Sequence, residues 1–309
     1  MSTRRSAQDL VRGVERHGLV FKTFTVSSEG SWSSEDADWN YKDVPHLNEV
    51  HSLARTVPAA IEDEVIATIN IQRVAGMPMP IALANYVAAD GTQVYYTTLL
   101  VFVLIVETKI SDQNGDEGAH RAKVETTYHV GGPRSLMWLF PVLRRMLSTN
   151  YRVLMSEDIP MREQRGRLRR AGYRFRSDGR SRTFAETTDL TVANVIAPER
   201  DLDNEVSVNL SELAAAGATL TAGKGPAGVR LVRGSGAEVL VFDRVCPHEG
   251  ACLDSARLAG TSLVCPWHAK RVKPLGTFSM DDRAPRQVRL ESGVLVEIDG
   301  TLCVLRGIE

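Results

Sequence analysis

The sequence predicts an α+β chain in two parts, an antiparallel sheet gripping a long late helix followed by a small all-β domain. Three observations carry this reading. Strand-like runs of apolar and β-branched residues recur between Val20 and Val130. A helical pattern covers most of 134–172. The last hundred or so residues break into short strands separated by turns. A length of 309 residues suits two domains. The boundaries expected are a first domain over 1–185, a linker over 186–204 and a second domain over 205–309, because Phe184 to Glu205 is polar and weakly patterned.

The elements follow in order. The first fifteen residues read as a short helix or a frayed end, and Val20 to Val26 as a strand. Ser27 to Asp38 is rich in Ser, Glu and Asp and reads as a loop; Asp43 to Arg55 reads as helical. Ile66 to Val74, Ile81 to Ala88 and Val94 to Thr108 read as strands, with a hairpin turn at Asp90-Gly91. Ser111 to Gly118 is a loop, Ala122 to Val130 a strand, and Gly131-Gly132-Pro133 punctuates the chain. The helix after it is expected to break at Pro141 and Pro160. Strands of the second domain fall at Val206 to Val208, Val229 to Val232, Val239 to Phe242, Gln287 to Leu290, Val294 to Ile298 and Leu302 to Leu305.

Composition excludes some classes of function. With 43% hydrophobic and 24% charged residues the chain is ordinary globular material, and a net charge of −1 argues against nucleic acid as a partner. Arg4 and Arg5 form a twin-arginine pair, but no apolar stretch follows, so no signal peptide is read. The longest apolar run, Leu99 to Val106, is far shorter than the ~20 residues of a membrane helix and reads as a buried strand. No membrane partner and a cytoplasmic location are the expectation. No Gly-rich phosphate loop follows a strand, so no flavin or nicotinamide site is expected.

The chemistry concentrates in two segments. The second domain contains CPHEGACLD at 246–254 and CPWHAK at 265–270. Cys246-x-His248 and Cys265-x-x-His268 are separated by sixteen residues. Two thiolates suit one iron and two imidazoles the other iron of a mixed-ligand [2Fe-2S] cluster. Zinc is the competitor, but its sites usually pair Cys with Cys and His with His. The other cysteines, Cys252 and Cys303, read as small buried hydrophobes.

The segment 205–309 resembles the Rieske domain of ferredoxins and oxygenases. It departs from the respiratory type in two ways. Cys252 has no partner in the second loop, where Trp267 stands, and Ala269 and Lys270 replace the hydroxyl residues that would donate to the cluster. Both departures imply a low potential.

The first domain contains WNYKDVPHLNEVH at 39–51, with Asp43, His46 and His51. Histidines five apart meet if a helix widens into a π-type turn, and with a carboxylate they would make a 2-His-1-carboxylate set for non-haem iron. The pattern resembles the iron signature of the Rieske non-haem iron oxygenases, the ring-hydroxylating family, down to Asn40 before the Asp. That resemblance implies a helix-grip (START-like) catalytic domain and a third ligand at Asp158 in SEDIPMREQRG, with Glu157 as fallback and Glu163-Gln164 following. It also implies that Asp43 bridges the mononuclear Fe(II) to cluster histidine His248 or His268, in a homo-oligomer such as a trimeric ring. The domain order is reversed: in the family the Rieske domain comes first.

The resulting expectation is an oxygenase fed by a separate reductase, with or without a ferredoxin. Leu147, Tyr151, Leu154 and Met155 share the helix face of Asp158 and point to an apolar or aromatic substrate, hydroxylated by default. The rival is a helix-grip ligand-binding domain fused to a Rieske ferredoxin without oxygenase chemistry. Nine arginines between Arg162 and Arg182 read equally as a docking face for an acidic electron donor, as a subunit contact, or as solvated charge. His120 and His129 read as structural or surface residues.

Overall fold

A computed structural model describes residues 4–74, 77–113, 121–198, 206–223, 225–281, 286–289, 294–299 and 302–307. The expected loop over 114–118, His120, the end of the expected linker (199–204) and Leu290 lie outside them. The chain divides into two compact units, Met1–Gly166 with Gly179–Asp189, and Arg167–Asp178 with Leu190–Glu309. No helix among the described residues is long and apolar enough to cross a membrane.

The first unit is the expected helix grip. Its strands are β1 (Val20–Gly30), β2 (Ala54–Ile61), β3 (Val65–Val74), β4 (Met77–Val87), β5 (Gln93–Leu99), β6 (Phe102–Asp112) and β7 (Ala122–Gly132). They form one antiparallel sheet in the order β1-β7-β6-β5-β4-β3-β2. The helices are α1 (Ala7–Glu15), α2 (Ser34–Lys42), α3 (Phe140–Arg170), which belongs to this unit as far as Gly166, and α4 (Phe184–Thr188). Phe24, Phe102, Val106, Tyr128 and Val130 of the sheet pack with Met137, with Phe140, Leu143 and Leu147 from the start of α3 against them. That apolar face drives the grip, at about 25 cal/mol for each Å² removed from water.

Four local expectations are corrected. The Ser-rich stretch 27–38 is not a loop: β1 runs on to Gly30, and Ser33 caps α2 in a capping box with Asp36. Those serines and acids are start signals for a helix. The helix expected over Asp43 to Arg55 is absent. Asp43 sits at φ −77°, ψ 76°, Val44–Asn48 is a 3-10 turn containing Pro45, and β2 begins at Ala54. The run Val94 to Thr108 is two strands. It turns at Leu100, which has φ 55°, and the apolar tip is open to solvent, with Leu100 84% exposed. Only the part from Phe102 onward is the buried strand expected. Finally, α3 passes through both prolines. Pro141 sits in its first turn, where no intrahelical N–H bond is lost. Pro160 lies mid-helix on the exposed side, while Tyr151, Met155, Asp158 and Met161 hold the opposite side against the unit.

The second unit is built of short strands, as expected. These are β8 (Arg174–Phe175), β9 (Val195–Ile196), β10 (Val206–Asn209), β11 (Thr219–Ala222), β12 (Val229–Arg233), β13 (Glu238–Asp243), β14 (Arg257–Ala259), β15 (Ser262–Val264), β16 (Arg271–Val272), β17 (Gly276–Ser279), β18 (Arg286–Arg289), β19 (Val294–Asp299) and β20 (Leu302–Gly307). They pair as β10-β20-β19-β18, β11-β12-β13-β17, β14-β15-β16 and β8-β9. Val208, Leu213, Leu231, Val241, Phe278 and Val296 form its core. Within the stretch read as a linker, 186–204, the end of α4 and all of β9 are regular structure.

Candidate metal centres

In the first unit, α2 stops at Lys42 and the five-residue 3-10 turn Val44–Asn48 follows. The turn is held by Glu49 N–H and Val50 N–H donating to His46 O at 3.0 and 2.8 Å. This 3-10 turn, and not a π-type widening of a helix, brings His46 and His51 together. Their Nε2 atoms are 3.1 Å apart. Asp158, from the middle of α3, places Oδ1 3.3 Å from each Nε2. One ligand atom from each of the three lies within 4.8 Å of the others, and all three residues are buried.

The opposite ring nitrogens are also engaged. His51 Nδ1 lies 2.8 Å from Glu157 Oε2, and His46 Nδ1 lies 3.5 Å from Asp43 Oδ2. Glu157 Oε1 accepts from Ser52 Oγ at 2.6 Å and Ser52 N–H at 3.2 Å. Glu157, the fallback ligand, therefore stands behind His51. Asn40 Nδ2 donates to Asp158 Oδ1 at 3.3 Å, and Arg162 Nε donates to Asn40 Oδ1 at 2.7 Å. The Glu157 carboxylate on the far nitrogen of His51 fixes its tautomer and leaves Nε2 for a cation, and Asp43 places a second carboxylate near Nδ1 of His46.

Protonation follows the same geometry. Burial disfavours the imidazolium of His46, but hydrogen bonds with Asp158 and Asp43 outweigh it and hold its pKa up at about 9. Burial also opposes ionisation of Asp158, and the bonds from His46 and His51 outweigh it, pushing the carboxyl below the ordinary range. The pocket is thus built to hold positive charge among its three ligand atoms. Two imidazoles and one carboxylate, buried and convergent, fit a divalent first-row metal.

In the second unit, two loops repeat one backbone design. Cys246 N–H donates to Ala251 O, and Gly250 N–H donates back to Cys246 O. Cys265 N–H donates to Lys270 O, and Ala269 N–H donates back to Cys265 O. The fourth residue after each cysteine lies at positive φ, Gly250 at 92° and Ala269 at 51°. His248 Nδ1 and His268 Nδ1 are 3.2 Å apart. The Cys246 and Cys265 thiols contact each other, and the Cys265 pKa falls to about 5 through the bond from Cys246, against burial, with help from His268 and Trp267 N–H. Backbone N–H groups of His248 and Glu249 point at Cys246 Sγ. Paired sulfurs with N–H donors, facing paired imidazole nitrogens, fit an iron–sulfur cluster held by two thiolates and two histidines.

Residues 197–292 match the Rieske [2Fe-2S] domain family. The C-terminal part of this chain is a Rieske domain. It implies a [2Fe-2S] cluster and a redox role in electron transfer, and such proteins accept electrons from reductases or ferredoxins. No curated protein matches the chain. Solved structures are similar over about half of it. The di-domain ARO/CYC BexL from the BE-7585A biosynthetic pathway aligns at 14% identity and TM-score 0.36, over 45% of this chain and 48% of its own. The di-domain ARO/CYC StfQ from the steffimycin biosynthetic pathway aligns at 15% and 0.40, over 50% and 55%. A START superfamily protein from Mycobacterium smegmatis aligns at 12% and 0.38, over 46% and 97%. This chain thus spans about half the length of the first two.

Several residues of the Rieske domain carry no signal in the sequence. Asn194 N–H donates to Pro247 O and His248 O, and its Nδ2 donates to the buried Glu249 at 3.0 Å, so the residue just before β9 ties down the first ligand loop. A cavity of about 240 Å³ beside Cys246 and His248 is lined by Lys270, Arg271 and Lys273. Cys252 corrects an expectation: it is exposed, and its thiol contacts Asp254. The side chain of Cys303 lies outside the described residues.

The arginine run is corrected as well. Arg162 and Arg165 are fully buried, and Arg182 nearly so. Arg165 Nε donates to Asp36 Oδ1 at 3.0 Å. Arg167, Arg170, Arg174, Arg176 and Arg180 remain on the surface. His129 is structural, buried beside Glu107 with Nδ1 3.1 Å from Thr23 Oγ1.

Proposed function

We propose that the chain is a Rieske-type non-haem iron oxygenase with its domains in reversed order. The observation that carries this reading is the convergence of His46, His51 and Asp158 on one buried point, in the same chain as a Rieske ligand set. His46, His51 and Asp158 would hold Fe(II), and Cys246, His248, Cys265 and His268 the cluster. Bound there, the mononuclear iron supplies O₂ activation, and the cluster supplies electrons one at a time.

The chain's own residues set the conditions for that chemistry. Glu157 and Asp43 orient the two imidazoles through their Nδ1 atoms. Asn40 and Arg162 hold the Asp158 carboxylate in place. Burial of all three ligands keeps bulk water from the site. Asp43, in contact with His46, is assigned as the residue that couples this site to the electron input. For the default hydroxylation, one oxygen atom enters a C–H bond of an apolar or aromatic substrate and the other leaves as water. Two electrons from a separate reductase or ferredoxin and two protons complete the balance. A homo-oligomeric ring and a cytoplasmic location belong to the same proposal.

The rival reading, a ligand-binding helix grip joined to a Rieske electron carrier, draws on the same fold without the mononuclear site. Iron content separates the two. The oxygenase reading expects about three irons per chain in fully loaded protein, falling to two in His46→Ala with the cluster spectrum unchanged. Two irons per chain in both proteins refutes it and leaves the electron carrier.

A further inference from the structure

Behind Asp158, the interior of the first unit holds a group of hydrogen-bond donor atoms, Arg162 Nη1 among them, to which the mechanism above gives no role. Arg162 and Trp32 are 0% exposed. The Arg162 guanidinium lies 5.9 Å from the Trp32 ring centre and 4.9 Å from the Tyr41 ring centre. Its Nε is bonded to Asn40 Oδ1 at 2.7 Å, and its Nη2 faces Asp158 Oδ2 at 3.7 Å. Its Nη1 has no hydrogen-bond partner among the described residues, and neither have Trp32 Nε1 and Tyr41 Oη, all of them buried. The neighbouring phenols differ: Tyr95 bonds to Tyr128, and Tyr151 donates to Ser28 Oγ at 3.2 Å.

Buried donors without acceptors cost free energy, and three gathered about one guanidinium require a common explanation. Arg162 Nη1 and Trp32 Nε1 can only donate and the Tyr41 hydroxyl can donate as well, so one acceptor would serve all three. The charge of the site decides which kind. Asp43, Glu157 and Asp158 supply three negative charges, which a divalent cation together with Arg162 balances. A further anion would be uncompensated in a buried site, whereas an uncharged oxygen would not.

We propose that Arg162 Nη1, Trp32 Nε1 and Tyr41 Oη form a three-donor anchor for an uncharged, carbonyl-type oxygen on a substrate held beside His46, His51 and Asp158. The word substrate rests on the oxygenase reading; the anchor itself rests on the donors. It sharpens the apolar or aromatic class to an apolar frame that carries a carbonyl. Arg162 thereby acts twice, positioning Asp158 through Asn40 and holding the ligand with its free edge.

Calorimetric titration of the full chain, under anaerobic conditions and with iron measured on the same sample, tests this. The probes are 1-acetylnaphthalene, 1-ethylnaphthalene and 1-naphthoate. The ketone is expected to bind about tenfold more tightly than the hydrocarbon, and more tightly than the carboxylate. Tyr41→Phe, which keeps the ring, should shrink that preference several-fold and leave hydrocarbon affinity unchanged, and Trp32→Phe, which removes the indole N–H together with part of the ring system, should shrink the preference as well. Equal affinity for ketone and hydrocarbon overturns the anchor. So do tighter binding of the carboxylate, no binding of any probe, or an undiminished preference in both variants. Three irons per chain with no preference reject the anchor alone. Two irons with the preference intact reject the oxygenase reading and leave the anchor as a ligand site.

Discussion

Glu157→Gln is the sharpest perturbation of the proposed mononuclear site that leaves His46, His51 and Asp158 in place. Glu157 Oε2 meets His51 Nδ1 at 2.8 Å while Oε1 accepts two bonds from Ser52. Burial opposes its charge, but those bonds from Ser52 and His51 outweigh it and lower the carboxyl pKa, so it is ionised at neutral pH. Glutamine has the same shape but one acceptor oxygen, and its amide N–H₂ must face either the His51 donor or the Ser52 donors. In either orientation the charge behind His51 is lost and Nε2 becomes a weaker base. Loss of such a supporting partner costs 10–100-fold in metal affinity, about 1.4–2.7 kcal/mol. Anaerobic titration with Co(II) or Fe(II) against a competing chelator measures this, with the cluster absorbance as an internal control. Affinity within twofold of wild type refutes the supporting role. A loss as large as that in Asp158→Asn would make Glu157 itself a ligand.

Three further expectations follow from other contacts. Asp43→Asn, close in size to the original, should leave both metal centres loaded but slow single-turnover electron transfer by at least tenfold; unaltered transfer counts against Asp43 as the coupling residue. Gly166→Ala should destabilise the first unit by about 1–3 kcal/mol, since a Cβ there would meet the Ser31 carbonyl oxygen at 2.2 Å and the backbone would have to shift; thermal unfolding of the variant at unchanged Tm would contradict the close approach. Asp254→Asn breaks the paired bonds from Arg244 Nε and Nη2, at 2.9 and 2.6 Å. Those bonds, against burial, lower the Asp254 pKa in the folded chain. Their stabilisation is therefore full above the unfolded pKa near 3.9 and lost as pH falls through the lower folded value. The variant should unfold about 1 kcal/mol more easily at pH 7, with the gap closing in acid, as followed by cluster bleaching; a gap that widens in acid would reverse the sign of the argument.

Much of this protein is legible in one dimension because its chemistry is local. Cys246-x-His248 and Cys265-x-x-His268 can be read directly, since each pair sits in one short loop. Apolar runs show β1, β3, β4, β6 and β7 and the longer strands of the second unit, whereas β2 and the short strands β11 and β14 to β17 do not stand out. The errors cluster where a local signal has two meanings. Ser33 and Asp36 belong to polar loops and to helix starts alike, and only the packing of Trp39 and Arg165 against the unit settles which. Pro160 breaks a helix on its own terms, but a 31-residue helix with a buried inner face absorbs the lost bond. The arginine run looks like surface until Asp36 and Asn40, more than a hundred residues away in sequence, draw Arg165 and Arg162 inside.

The sequence by itself determined which residues are candidates to bind metal: two histidines five apart, the pair Glu157 and Asp158 singled out by the family resemblance, and the two Cys/His loops of the Rieske domain. What only the tertiary structure decided is how they meet and what stands behind them. A 3-10 turn aligns His46 with His51. The grip of sheet on helix carries Asp158 to their Nε2 atoms, and it puts Glu157 on the opposite side of His51, at Nδ1. The physical reason is that ligand identity is a property of side chains, whereas direction and burial depend on packing between distant segments, which no spacing along the chain records.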